Sequence, residues 1–196
     1  MTLIEIARAL GLSFTSGVNL YATAAILGLV VRYDWVDLPP QFQVFDNDVV
    51  IYGAIALYLV EFVADKIPWV DSLWDAVHTI VRPLGGALIA VAAIGEASPG
   101  VEALVAVLGG SVAATSHFAK AGSRAIVNTS PEPVSNSVVS LLEDLLVFGL
   151  GLTALFLPLV ALILVGALLI LIAFVSARMW RAARRRLSRA RTLPTT

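Results

Sequence analysis

From Leu145 to Ala177 the chain carries no Asp, Glu, Lys or Arg. A helical membrane span needs about 20 mostly apolar residues. This run is too long for one span and somewhat short for two. Pro158 lies inside it and cannot continue a helix without losing a backbone hydrogen bond. A tight apolar hairpin is therefore expected at Pro158. The composition agrees with burial in lipid. Of 196 residues 59% are hydrophobic and 14% charged, against about 25% charged in a soluble domain. Mean hydropathy is +0.90. The chain reads as an integral membrane protein. It has no Cys, which removes disulfides, thiolate zinc sites and cysteine nucleophiles. Two His leave little for a histidine-built metal centre. A net charge of −1 argues against a nucleic-acid partner, which needs a basic face.

Six spans are expected, near Ala9–Val31, Asp48–Ala64, Leu73–Gly95, Val101–Val127, Ser137–Leu157 and Pro158–Ala177. The competing count is five, with Ser137–Phe148 lying in the interface. The first residues do not read as a cleavable signal, because Glu5 offsets Arg8 and the following stretch is rich in Ser, Thr, Gly and Asn. Seven arginines between Arg178 and Arg191 mark a cytoplasmic tail. Six spans then put Arg8, Lys66 and Arg124 on the same side, and the acids Asp34, Asp37, Asp46, Asp48, Glu96 and Glu102 outside. The expectation is an inner-membrane protein with both termini cytoplasmic. One bundle domain covers residues 1–178, and residues 179–196 form a basic tail. Tyr33, Trp35 and Tyr52 mark the outer interface, and Trp69, Trp74 and Trp180 the inner one. The basic tail also suits anionic lipid headgroups.

Spans three and four meet at the turn Glu96–Gly100. Folding the chain there sets residues whose numbers add to 195 at equal depth. Gly85 meets Gly110 and Gly86 meets Gly109, so two double glycines form a close helix contact. His78 lies level with His117. Asp75 pairs with Lys120, and Asp71 with Arg124. Glu61 and Asp65 share a face of span two, Arg82 lies deep in span three, and Glu143 and Asp144 enter span five from inside. Asn19 adds a polar group to span one. A charge at the bilayer centre costs at least about 2.5–3.5 kcal/mol, so these groups must face one another or water. A polar cavity open to the cytoplasm is expected, lined by Asn19, Glu61, Asp65, His78, Arg82, His117, Lys120, Arg124, Glu143 and Asp144.

The segment Arg82-Pro83-Leu84-Gly85-Gly86 is a candidate broken helix of the kind transporters place at mid-membrane; a kink with close packing is the plainer reading. Asn128–Asn136 reads as a rigid loop, with Ser135 or Asn136 capping span five. Loose likenesses between Ser16-Gly17-Val18-Asn19 and Ala121-Gly122-Ser123-Arg124, and between Glu61 and Glu143, fit a three-plus-three inverted repeat. No metal-ligand spacing, nucleophile elbow or P-loop occurs, so no enzyme activity and no cofactor are expected. The expected function is a transporter or channel-like protein for an ion or small polar solute. The alternative is a non-catalytic structural or assembly protein whose ion pairs only hold the bundle. The glycine-rich hairpin also allows a homo-oligomer.

Five runs stand out together: Glu61-Phe62-Val63-Ala64-Asp65-Lys66-Ile67-Pro68 with Asp71, Asp75-Ala76, Arg82-Pro83-Leu84-Gly85-Gly86-Ala87-Leu88, His117-Phe118-Ala119-Lys120-Ala121-Gly122-Ser123-Arg124, and Ser140-Leu141-Leu142-Glu143-Asp144. In combination they resemble an uncharacterised bacterial membrane family, domain-of-unknown-function family 4126. The resemblance covers nearly the whole chain. It implies a small polytopic inner-membrane protein and supplies no activity. Asn19 departs from it, standing where the resemblance implies Arg.

Overall fold

The computed structural model describes residues 2–129 and 133–191. Its described elements are helical: α1 (Leu3–Val18), α2 (Leu20–Arg32), a short 3-10 turn (Pro40–Phe45), α3 (Asp48–Ala64), α4 (Pro68–Ile94), α5 (Pro99–Val127), α6 (Pro133–Phe156) and α7 (Pro158–Arg191). Among the described residues four helices are long and apolar enough to cross a membrane: Trp69–Ile94, Pro99–Val127, Val134–Phe156 and Pro158–Arg185. The chain is a membrane-spanning helical protein. The expected hairpin at Pro158 is present. Ser137–Phe148 lies within the continuous helix α6, so the interfacial reading of that segment fails.

The expectation of six spans fails at the first one. Residues Ala9–Val31 do not form a single crossing. The helix breaks at Asn19, whose backbone is extended (φ −149°, ψ 101°). Arg8 on α1 donates through Nη1 to the carbonyl of Asp37, five residues beyond the end of α2, at 3.1 Å. Were α1 and α2 collinear, Arg8 and Arg32 would lie about 36 Å apart at 1.5 Å per residue. Five extended residues reach at most about 18 Å. So α1 enters the bundle, turns at Asn19, and α2 returns to the same end. α3, at 17 residues, spans about 25 Å and is the shortest of the lengthwise helices.

The depth of the turn follows from its neighbours. Gly17 lies against the carbonyl of Ala113 and the hydroxyl of Ser116, and Ala113 is the middle residue of α5. Leu20 packs on Gly85 near the middle of α4. The hairpin tip therefore ends at mid-bundle. One end of the molecule, the hairpin end, carries the start of α1, the 33–47 segment, Gly95 against Pro39, and the α6–α7 turn, where Arg8 reaches the carbonyl of Leu155. The other, basic end carries Lys66, the end of α5 and the last turns of α7. The start of α1 and the end of α7 thus lie at opposite ends of the bundle, whereas six spans would put them at the same one. Arg8 joins the acidic hairpin end rather than the end of Lys66 and Arg124.

α1 is the centre of the bundle. Ala7, Leu12, Ser13, Thr15 and Ser16 are all fully buried. It is wedged between α6 and α7, so that Gly11 meets both Ala154 and Ala161. Its hydroxyls need acceptors in this dry setting. Ser13 donates to the carbonyl of Gly86 at 3.0 Å, Ser16 to Leu12 at 2.7 Å, and Ser116 of α5 to Phe14 at 2.8 Å. Gly86 and Gly109 face each other across α4 and α5 as expected. Gly85 does not meet Gly110: it faces Leu20, while Gly110 sits by Pro83 and Ala87. Adjacent helical residues point about 100° apart, so a double glycine cannot present both members to one partner.

The candidate break at Arg82–Gly86 is absent: α4 continues through Pro83, with Gly86 in close contact with α5. The likeness offered for an inverted repeat has no local counterpart in structure: Ser16–Val18 end α1 and Asn19 breaks it, whereas Ala121–Arg124 lies inside the continuous helix α5. Ser135 and Asn136 do not cap α6, which already begins at Pro133; the rest of the expected rigid loop, Ser130–Glu132, falls outside the described residues. At the hairpin end Arg32 binds Asp46 and Asp48 at 2.8 and 2.6 Å, and these bonds raise its pKa above the ordinary arginine value.

The chain has no native Cys, so single cysteines test this topology directly. Leu3→Cys and Arg184→Cys in sealed vesicles are expected to react with a membrane-impermeant maleimide from opposite sides. Labelling from one side would restore a single first span. Gly17→Val is expected to prevent folding, read as loss of the monodisperse peak in detergent chromatography. Gly53→Ala, in open space, leaves that peak unchanged.

Candidate functional site

Four helices bring charge to one place by their 3.6-residue period. Glu61 and Asp65 lie one turn apart on α3. Asp71, Asp75, Thr79 and Arg82 follow one face of α4. His117, Lys120 and Arg124 do the same on α5, and Asn136, Ser140 and Glu143 with Asp144 on α6. Arg82 is fully buried, Glu61 is fully buried, and Lys120 is 4% exposed.

The contacts form one network. Glu61 Oε1 accepts from Arg82 Nη2 at 2.8 Å and from Lys120 Nζ at 3.2 Å. Arg82 Nη1 donates to Asp75 Oδ1 at 3.0 Å and to His117 Nδ1 at 2.9 Å. Lys120 also donates to Asp65 Oδ2 at 2.9 Å. Arg124 reaches Asp65 at 3.2 Å, Glu143 at 3.1 Å and Asp71 at 3.6 Å. Its Nη1 donates to the carbonyl and side-chain oxygen of Asn136 at 3.0 and 2.6 Å. Asn128 holds the other oxygen of Asp71 at 2.8 Å.

The expected Asp71–Arg124 approach is therefore present. The Asp75–Lys120 pair is not. Asp75 binds Arg82, seven residues along its own helix, and Lys120 takes the carboxylates of α3 instead. Equal depth in a hairpin sets level and leaves rotation free, and here α3 approaches from the side that Lys120 faces. Asp144 is buried and lies on the inward stripe of α6, within electrostatic range of Asp65 and Lys120. Lys66, in the α3–α4 turn, donates to the carbonyl of Phe62 at 2.8 Å and lies over that ring. Burial lowers its pKa from the ordinary lysine value, opposed chiefly by Asp144.

The two histidines, expected at one level, have separate partners. An arginine can only donate, so His117 accepts at Nδ1 and, uncharged, presents Nε2–H to Thr79 Oγ1 at 3.1 Å. A carbonyl can only accept, so His78 donates from Nδ1 to Trp74 at 2.7 Å. Its Nε2 meets the hydroxyl of Tyr21 at 2.8 Å. Tyr21 belongs to α2, so this bond ties the hairpin tip to the charged half of the bundle. Asn19 itself stays out of the network. Its side chain accepts from the N–H of Ala22 and caps α2.

A crevice reaches this network. That crevice has a volume of about 260 Å³ and is lined by Asp71, Asp75, Thr79, Phe118 and Arg124. Among the described residues no group of three His, Asp or Glu is placed to hold a metal ion. Residues that sequence reasoning missed are Tyr21, Trp74, Thr79, Asn128, Asn136 and Ser140. Asn136 and Ser140 carried a signal, being i, i+4 and in phase with Glu143 and Asp144. Tyr21 carried none without knowledge of the hairpin.

Residues 6–178 match the family described as Domain of unknown function (DUF4126). No curated protein matches the chain, and no solved structure does.

Removing one partner of a buried ion pair costs about 3–5 kcal/mol. Arg82→Gln is expected to lower stability by about that amount in detergent unfolding. The double reversal of Asp75 and Lys120 is expected to be worse than either single change. Recovery of stability in the double reversal would show that these two residues pair after all.

Proposed function

The chain belongs to the DUF4126 family, which prescribes no activity, and we propose from the geometry that it is a small transporter or channel-like protein for an ion or small polar solute. The observation that carries this reading is the hairpin tip, which ends at mid-bundle and is bonded through Tyr21 to His78 of α4, itself within electrostatic range of Arg82, Glu61 and Asp75. Non-helical backbone at that depth is tolerated where it is buried in protein or lines a polar passage. Discontinuous helices of this kind commonly face permeating species. Intramembrane ionisable groups mark ion and solute pathways. The pathway would run from the crevice at Asp71 and Asp75 past Glu61, Asp65, Arg82, Lys120, Arg124 and Glu143 toward His78 and Tyr21. The arginines of α7 would face the cytoplasm, with the protein in the inner membrane and the start of α1 on the far side.

A second reading has its own support. Arg82, Lys120 and Arg124 each touch at least two carboxylates. That pairing suits a structural or assembly protein whose charges only fix the helix arrangement. Flux separates the two. Liposomes holding the full chain are screened with common ions and protons beside Glu61→Gln and Tyr21→Phe. The transport reading expects flux above empty liposomes, at least tenfold lower in Glu61→Gln and altered in Tyr21→Phe at unchanged elution volume. Absence of flux from the folded wild type, or equal flux in both variants, would leave the structural reading.

A further inference from the structure

At the basic end α5 and α7 part and leave a groove of about 640 Å³. Its walls are Phe118 and Ile126 from α5 and Leu171, Val175, Met179 and Trp180 from α7. These side chains are exposed, Trp180 to 65% and Phe118 to 59%, so the groove opens sideways into the bilayer. Among the described residues its polar lining is Ser123 and Ser176. A Cβ added at Gly122, which also lines it, would meet nothing within 4 Å.

The groove does not end in an apolar rim. α7 continues as helix through Arg191, and Arg178, Arg181 and Arg184 are exposed there. The guanidinium of Arg184 lies 5.8 Å over the Trp180 ring. It is thereby held beside the groove mouth. No Asp or Glu occurs after Asp144 in the sequence, so nothing on α7 offsets this charge. A second copy of the chain docking symmetrically would bring the same arginines against this rim, and like charges would repel. A molecule with an apolar tail and a negative head fits both features.

We propose that the groove seats one acyl chain of an anionic phospholipid, with the phosphate held at the arginines that continue α7. The acyl chain packs on Phe118, Ile126, Leu171 and Val175, and the headgroup lies at the level of Trp180, where aromatic belts meet headgroups. Basic clusters next to a span favour anionic lipid by direct electrostatic attraction. The groove lies on the α7 side of α5, with Phe118 shared between its wall and the crevice at Asp71 and Asp75; its lining contains none of the charged residues of the network, and the proposal does not depend on whether that network conducts.

The test uses the full chain reconstituted in vesicles of equal phosphatidylcholine and phosphatidylglycerol, then released in mild detergent for native mass spectrometry. The expected result is one retained lipid, phosphatidylglycerol over phosphatidylcholine by at least tenfold. Gly122→Phe fills the groove from α5 and Val175→Trp from α7; each is expected to lose the lipid at unchanged elution volume. Replacing Arg178, Arg181 and Arg184 together by Gln is expected to equalise the two lipids. Equal retention of both lipids by the wild type would overturn the proposal. So would retention surviving both filling variants, or a dimer mass in place of the lipid adduct.

Discussion

A guanidinium cut off from water has to find its counter-charge on a neighbouring helix, and in this protein that demand joins α3, α4, α5 and α6 at one place. Arg82 has no exposed surface. Unpaired, it would not be tolerated in the interior of a lipid-embedded bundle. Glu61 answers it and at the same time takes Lys120. Asp65 passes the chain of pairs on to Arg124, and Asn136 ends it on α6. A buried network of this sort is weak evidence for net stability, since apolar residues of the same volume often do as well. Its effect is on arrangement: with these charges, few alternative helix packings leave none of them unpaired.

The other half of the bundle obeys a different constraint. Lipid removes the hydrophobic incentive for helices to associate, so they associate by close approach. At Gly17, Gly86 and Gly109 a Cβ would collide with a neighbouring helix. The buried hydroxyls of Ser13 and Ser116 turn inter-helix contact into hydrogen bonds with backbone carbonyls. The break at Asn19 also leaves few orphan groups. Its N–H returns to the carbonyl of Thr15, its carbonyl accepts from Thr23, and its side chain accepts from Ala22. Those bonds explain how a chain end-point in the helix ladder can sit 2% exposed at mid-bundle.

Hydropathy and charge made the membrane class, the turn at Pro158, the glycine level of Gly86 and Gly109, and the membership of the charged cluster legible. Each depends on composition or on one-dimensional spacing. The hairpin at Asn19 was not legible, because a re-entrant pair and one long span have the same apolar length. What separates them is tertiary, above all the contact of Arg8 with Asp37. The partner of Asp75 was missed for a related reason. Level along the helix axis follows from counting residues, while rotation about it depends on which third helix intrudes. Asn19 was assigned to the cavity because it is polar and deep; its side chain is consumed by capping.

The two halves differ in how they can change. Contacts made by missing Cβ atoms admit one packing, since any slide drives side chain into backbone. The charged half is not so restricted. Lys120 has Asp65 at 2.9 Å, Glu61 at 3.2 Å and Glu143 at 3.9 Å, and Arg124 has three carboxylates within 3.6 Å. Each of these cations therefore has more than one carboxylate within reach. Packed interfaces move between discrete arrangements rather than deforming continuously. Alternative pairings therefore lie at the basic end, while the contact of α1 with α4 and α5 offers none. That is the end where the crevice at Asp71 and Asp75 already reaches the charges.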